Sequence, residues 1–472
     1  MVKTKLPDSP TTPALWQIIQ WITRPFAFME ACARGYGDIF TVSIGQVPGS
    51  TVLVSNPQAM QEILSTDSKK FDAPGEVNQI FSLLLGDYSV ITVSGTRHRR
   101  ERHLLVPPFH GERMQAYGQL MRDITKQVTS EWELGKPFCI RSSMQKISLR
   151  VILQAVFGLH EGLRYQKLEQ LLSSVLDTVS SPLTASMLFF PALQQDLGAW
   201  SPWGRFLRQR QQIDELIYAE IRERREQLDP SRTDILSLLM SARDEAGEPM
   251  TDVELRDELM TLLTAGHETT ASALTWALYW IHKLPEVREK LLQELDSLGD
   301  DLDPSTIARL PYLNAVCSET LRIYPVALIT FPRRVKSPLE LMGYQFEPGT
   351  LLTGCIYLTH QREDLYPEHK RFRPERFLER QFSPYEYLPF GGSSRRCIGA
   401  AFAVFEMKLV LATILGDKQL ALADNRPVKP VRRGLTSTPS GVRVVVTGDR
   451  QTEEREAKLS HRDSPQIVAS SL

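Results

Sequence analysis

Phe390-Gly391-Gly392-Ser393-Ser394-Arg395-Arg396-Cys397-Ile398-Gly399 stands immediately before an apolar run, AAFAVFEMKLVLATIL, that reads as a helix starting near Gly399. The glycines permit a tight backbone reversal, and a sulfur placed at a helix N-terminus lies at the positive end of the helix dipole, which favours thiolate over thiol. A thiolate held there is a metal ligand. The chain has five cysteines, Cys32, Cys139, Cys317, Cys355 and Cys397, and no CxxC pair. An odd, scattered set argues against a disulfide framework, a zinc ribbon or an iron–sulfur cluster, and for a reducing compartment. The other four are expected to be inert thiols.

Upstream, Thr251-Asp252-Val253-Glu254 is a capping box with no proline after it until Pro285, which predicts a helix of roughly 30 residues and about 45 Å. Its middle reads Ala265-Gly266-His267-Glu268-Thr269-Thr270. Thr269 is placed to bond back to the Ala265 carbonyl, and Gly266 is expected to let the helix widen locally. An acid beside a hydroxyl on an otherwise apolar helix is a candidate proton relay, with His267 a structural polar residue. The next helices are predicted from Pro285 and over Tyr312–Tyr324, the second stopped by Pro325 and carrying Glu319 and Arg322 on one face. Phe372-Arg373-Pro374-Glu375-Arg376-Phe377 follows in an irregular segment. A basic stretch, Arg97-His98-Arg99-Arg100-Glu101-Arg102-His103, places His98, Arg102 and Leu105 on one helical face and the other arginines outward.

The 472 residues are 42% hydrophobic and 24% charged, an ordinary globular balance that excludes fibrous and low-complexity classes. A net charge of -1 gives no pull toward nucleic acid. The N-terminus lacks the apolar core of a signal peptide, and no segment reads as a transmembrane anchor. The uncharged run Thr178–Gln195 is broken by Pro182 and Pro191 and is expected to form an apolar lid. A hairpin is predicted within Asp38–Asn56, then a helix from Pro57 capped by Asn56, two helices between Met114 and Phe157, strands over Leu339–Tyr344 and Leu351–Tyr357, and one hairpin within Val431–Gly448. The fold class is mainly α with small β-sheets. The expected organisation is an N-terminal extension, partly helical, over 1–30, one domain over 31–448, and a polar, disordered tail over 449–472.

These motifs, in this order, resemble the cytochrome P450 family of haem-thiolate monooxygenases, and the resemblance covers about residues 30–448. The family's cysteine loop reads F-x-x-G-x-R-x-C-x-G; Phe390, Arg395, Cys397 and Gly399 match, while Ser393 stands at the usual glycine position. The resemblance implies the P450 fold, with haem b as cofactor, Cys397 as proximal iron ligand, Phe390 packed beside the sulfur and counted with Gly399 among the cofactor-binding residues, and Arg395, His98, Arg102 and Arg333 toward the haem propionates. Ala265, Gly266, Glu268 and Thr269 would serve dioxygen activation. Glu319, Arg322 and Arg376 would form a buried bracing triad.

By family position the substrate pocket is expected at Phe81, Leu84, Leu85, Leu262, Ile329, Phe331, Leu435 and Thr436. Similarity to soluble bacterial and cyanobacterial members implies a monomeric, cytoplasmic enzyme, able to touch a membrane peripherally, that hydroxylates a small lipophilic substrate of fatty acid or terpenoid type. The stretch after Cys397 is too short for a reductase domain, so NAD(P)H would act through a separate ferredoxin reductase and ferredoxin, received by the outward arginines of 97–102 and by Arg396. Two other readings remain open here: a haem-thiolate peroxygenase or isomerase needing no external electrons, and a haem sensor or electron carrier.

Overall fold

A computed structural model describes residues 6–450 except 45–49, 66–68, 112, 159–161, 181–193, 199, 228, 230, 300–302 and 435. Most of the expected lid, the tail beyond Arg450 and Leu435 therefore lie outside the described residues.

The capping box forms as its spacing predicts: the Glu254 backbone N–H donates to Thr251 Oγ1 and the Thr251 N–H donates to Glu254 Oε2. It starts a 32-residue helix, Asp252–Lys283, that runs through the protein interior. Leu255, Leu259, Leu263, Leu274, Trp276 and Leu278 are all fully buried, so this helix is enclosed on most sides rather than on one stripe. It packs along Ile140–Phe157 and also against Pro311–Ile323 and Ala400–Asp417. Gly266 permits that approach. A Cβ there would sit 3.0 Å from Ile152 Cδ1, so the glycine serves close contact with the neighbouring helix, where local widening was expected.

The largest sheet has five strands in the order Ile39–Val42, Thr51–Val54, Leu351–Gly354, Arg333–Val335 and Phe71–Asp72. The first two form the predicted antiparallel hairpin, followed by the helix Pro57–Ser65, whose Gln58 and Ala59 N–H groups donate to Asn56 Oδ1. Two strand expectations need correction. The run Leu351–Tyr357 leaves the sheet at Gly354 and turns into the short helix Ile356–His360. The single C-terminal hairpin is two structures: Pro430–Arg433 pairs with Thr436–Pro439, whereas Arg443–Asp449 pairs with Lys418–Leu422. Val442, Val444 and Val446 alternate and are buried, and seating them on the helical core takes the last strand away from its sequence neighbour.

The segment before residue 30 is tied to the strands that follow it. Thr41 donates its N–H to Asp8 O and its hydroxyl to Pro7 O, and Trp21, Phe28 and Met29 share one apolar cluster with Phe40 and Tyr357.

Candidate active site

The cysteine loop is held from both ends. The Cys397 N–H donates to Phe390 O at 3.0 Å, closing the reversal. Gly391 takes φ +67°, and a Cβ on Gly392 would meet Leu64 Cδ1 at 2.7 Å. Ser393 also adopts a left-handed backbone, φ +56°, which costs a residue with a Cβ roughly 1 kcal/mol and a glycine nothing. Arg395 reaches across to the carbonyls of Ala73, Val90 and Val93 at 2.6–2.7 Å, tying the loop to the segment before the basic helix Gly95–Leu105.

Cys397 opens onto a cavity of about 340 Å³. Burial raises its thiol pKa, while the Gly399 N–H and the nearby Arg102 and Arg396 guanidinium groups pull it down. The loop thus brings one amide and the Arg396 cation to the sulfur, and the basic helix brings Arg102. Without a metal these do not overcome the low polarity around it.

The long helix supplies Thr261, Leu262, Ala265, Gly266, Thr269 and Thr270 to the cavity wall. Thr269 Oγ1 donates to Ala265 O at 2.6 Å, as its spacing predicts, and Ser148 Oγ donates to Gly266 O at 3.2 Å. Glu268 is turned away from the cavity. It is buried between the helices, bonded by Arg141 Nη2 at 2.5 Å and Gln145 Nε2 at 3.0 Å. The relay expected from adjacent Glu268 and Thr269 is therefore divided between two faces, because one helical residue turns the next by about 100°. His267 is also buried outside the cavity wall, and its pKa is pushed down to about 4, so it is neutral.

His98, Arg102, Arg333 and Arg395 meet at the cavity together with Phe390 and Gly399. Arg102 Nη1 donates to Arg396 O, and Arg333 Nη2 donates to Gly392 O. Arg334, its neighbour in the strand, points out of the sheet to Asp72 and Glu76. No carboxylate lines the cavity among the described residues.

A family model for cytochrome P450 matches residues 7–446. The chain belongs to the cytochrome P450 family. Among its relatives are putative cytochrome P450 135B1 of Mycobacterium tuberculosis, 35% identical over 447 residues that cover 94% of this chain and 92% of the relative, and putative cytochrome P450 138 of the same species, 33% identical with 94% and 96% covered. The solved structure of retinoic acid-bound cyanobacterial CYP120A1 superposes with a TM-score of 0.81 at 24% identity, covering 95% of this chain and all of that one. The cytochrome P450DA heme domain gives 0.83 at 23% identity, covering 95% and 98%. At these identities the two structures speak for the P450 fold alone. Family membership makes the protein a haem monooxygenase that uses dioxygen.

The P450 cavity fits haem by its donor set. Four arginines and a histidine with no lining carboxylate among the described residues suit the two propionates of a porphyrin, the remaining wall is mostly apolar, and the single thiol of the described wall is Cys397.

Beneath the loop, Glu319 is fully buried and accepts from Arg322 Nε at 2.6 Å and Nη2 at 2.8 Å, from Arg376 Nε at 3.1 Å and from the Arg373 N–H at 2.9 Å. Arg322 Nη1 donates to His360 O, and His360 Nε2 accepts the Leu388 N–H, which carries the network to the start of the cysteine loop. Burial and Arg322 push His360 down to about 3, which keeps that nitrogen an acceptor.

Of the expected pocket residues, Leu262, Ile329 and Phe331 line the cavity. Phe81 stands one layer behind, its ring edge on Phe331 at 6.4 Å. Leu84 and Leu85 face the apolar core, and Thr436 is occupied by the turn, donating to Arg433 O. Sequence reading missed Ile152, Arg141, Gln145, Ser148 and His360. Each acts through a partner distant in the chain, and no local spacing marks it.

Proposed function

We propose that this P450 hydroxylates a small lipophilic molecule of fatty acid or terpenoid type, drawing electrons from NAD(P)H through a ferredoxin reductase and a ferredoxin. The observation that carries the reading is the cavity itself: a thiol on one wall, a hydroxyl on a hydrogen-bonded helix opposite, and Leu262, Ile329, Phe331 and Ile152 between them. Haem b, when bound, supplies the iron at which dioxygen is reduced and its bond cleaved. Cys397 would ligate it, and His98, Arg102, Arg333 and Arg395 would hold its propionates by charge-assisted hydrogen bonds. Thr269 Oγ1 would hold a proton at the cavity face, bonded to Ala265 O and ready to turn inward. Glu268, paired with Arg141 and bonded by Gln145, would fix the helix register that turns Thr269 toward the cavity.

The terpenoid branch gains support from the retinoic acid held by CYP120A1, itself an isoprenoid. For the ferredoxin, the basic surface is narrower than its composition suggests. Arg97 is paired with Glu254, and Arg100 with Asp244, Glu101 and Glu254, which leaves Arg99 exposed on the basic helix and Arg396 exposed on the cysteine loop. Their role is to receive an acidic partner.

The test is a spectral binding screen of purified holoprotein with fatty acids and terpenoids, then turnover of each binder with NADPH, ferredoxin and ferredoxin reductase. The expected result is substrate-dependent oxygen consumption with a product one oxygen atom heavier. Turnover without any reductant overturns the electron-driven reading, and binders confined to polar compounds overturn the substrate class.

A further inference from the structure

The first helix, Ala14–Thr23, buries a glutamine beside Trp21 and leaves three apolar side chains outside. Its sequence, ALWQIIQWIT, carries no charge. Gln17, one of its two glutamines, is only 4% exposed: its Nε2 donates to Thr12 O at 2.9 Å and its Oε1 accepts the Ser43 N–H at 2.9 Å. One turn on, Trp21 is 6% exposed, with the Arg432 guanidinium 5.0 Å from its ring centroid. These contacts fix which side of the helix faces the protein. The outward side then presents Leu15, Trp16 and Ile19, which are 60%, 52% and 36% exposed. A water-facing surface helix has the opposite polarity, with apolar residues in and polar residues out.

We propose that this outward face docks the protein on the surface of an anionic lipid bilayer. Three half-exposed side chains offer roughly 300 Å², well short of the roughly 800 Å² per partner of a stable protein interface. Such a patch suits a surface into which single side chains dip. Leu and Trp on one face of a short helix are the side chains that enter the headgroup boundary, with Trp at the polar edge. The sign of the charge follows from the flanks. Residues 1–24 contain Lys3, Lys5 and Arg24 against Asp8 alone, and Arg24, at the end of the helix, is exposed with no ion pair among the described residues. No described helix is long and apolar enough to cross a membrane, so the contact lies along the surface. The inverted polarity stands independently of the substrate and electron-donor reading.

The experiment is flotation of the full-length, haem-loaded protein with vesicles of phosphatidylcholine alone and of phosphatidylcholine mixed with phosphatidylglycerol. The wild type should float with the anionic vesicles and far less with the neutral ones. Replacing all three side chains (Leu15→Ser, Trp16→Ser, Ile19→Ser) should reduce the floated fraction about tenfold or more, and Arg24→Gln should erase part of the preference for the anionic lipid. Trp16→Ser alone, compared at matched Soret absorbance, gives a smaller loss and guards against misfolding of the triple variant. Equal flotation of wild type and variants, or none with either vesicle, overturns the proposal. So does light scattering that finds a wild-type dimer, a monomeric triple variant and no flotation, which would assign the face to a second copy of the chain.

Discussion

Glu406 offers a quantitative test of the buried core around the cysteine helix. It is 1% exposed, on the helix Ala400–Asp417, and among the described residues no basic side chain pairs with it and neither carboxyl oxygen has a well-aligned hydrogen bond. Burial pushes it from 4.5 up to about 8, opposed by the nearby Ser148 hydroxyl. The folded protein therefore keeps the proton that the unfolded chain releases near pH 4.5. This contribution to stability is fully present below pH 4.5 and is lost as pH rises toward 8. At about 1.4 kcal/mol per pH unit, the interval from 4.5 to about 8 amounts to about 5 kcal/mol. Glu406→Gln keeps the shape and removes the titration. The assay is denaturant unfolding of both holoproteins at closely spaced values between pH 5 and pH 8.5, followed by loss of the Soret band and by circular dichroism. The difference between wild type and variant should shift steadily against the wild type as pH rises, approaching that slope, and level off above about pH 8. Parallel stability curves across the range would refute the reasoning and mean that Glu406 is ionised or hydrated in the fold.

Other outcomes follow from the site. Cys397→Ser should abolish the thiolate-type spectrum of the ferrous carbon monoxide complex, while Cys32, Cys139, Cys317 and Cys355 tolerate replacement; dependence of that spectrum on one of those four instead would undo the ligand assignment. Glu319→Ala strips the carboxylate shared by the buried guanidinium groups of Arg322 and Arg376 and should cost about 3–5 kcal/mol, seen as poor recovery of haem-loaded protein. Wild-type yield and denaturation midpoint would show the network to be dispensable. Thr269→Ala removes the cavity-facing hydroxyl and keeps the helix, so haem content and substrate affinity should hold while product formed per NADPH falls and hydrogen peroxide rises; unchanged coupling would count against proton delivery at this position.

What the sequence determined by itself is whatever depends on neighbours within a turn or two. The capping box, the Thr269 bond to Ala265, the reversal at Gly391 and the helix after Gly399 are local geometry, and spacing encodes them. The family motifs were legible for the same reason. Tertiary structure decided which of two adjacent residues serves the site. Thr269 reaches the cavity and Glu268 meets Arg141, because consecutive helical positions point about 100° apart and only the packing of Ile140–Phe157 fixes which direction is the cavity. Arg333 lines the cavity while Arg334 pairs with Asp72, since successive strand residues face opposite sides and the register with Leu351–Gly354 sets which side is inward. Leu84 and Leu85 looked equivalent to Leu262 in composition, yet they fill the core. Gln17 went inside and Trp16 outside against the usual pattern, because Ser43 offered a backbone N–H that only a polar side chain satisfies. A pattern along the chain states what each residue prefers, and the partners brought from distant segments decide which preference is met.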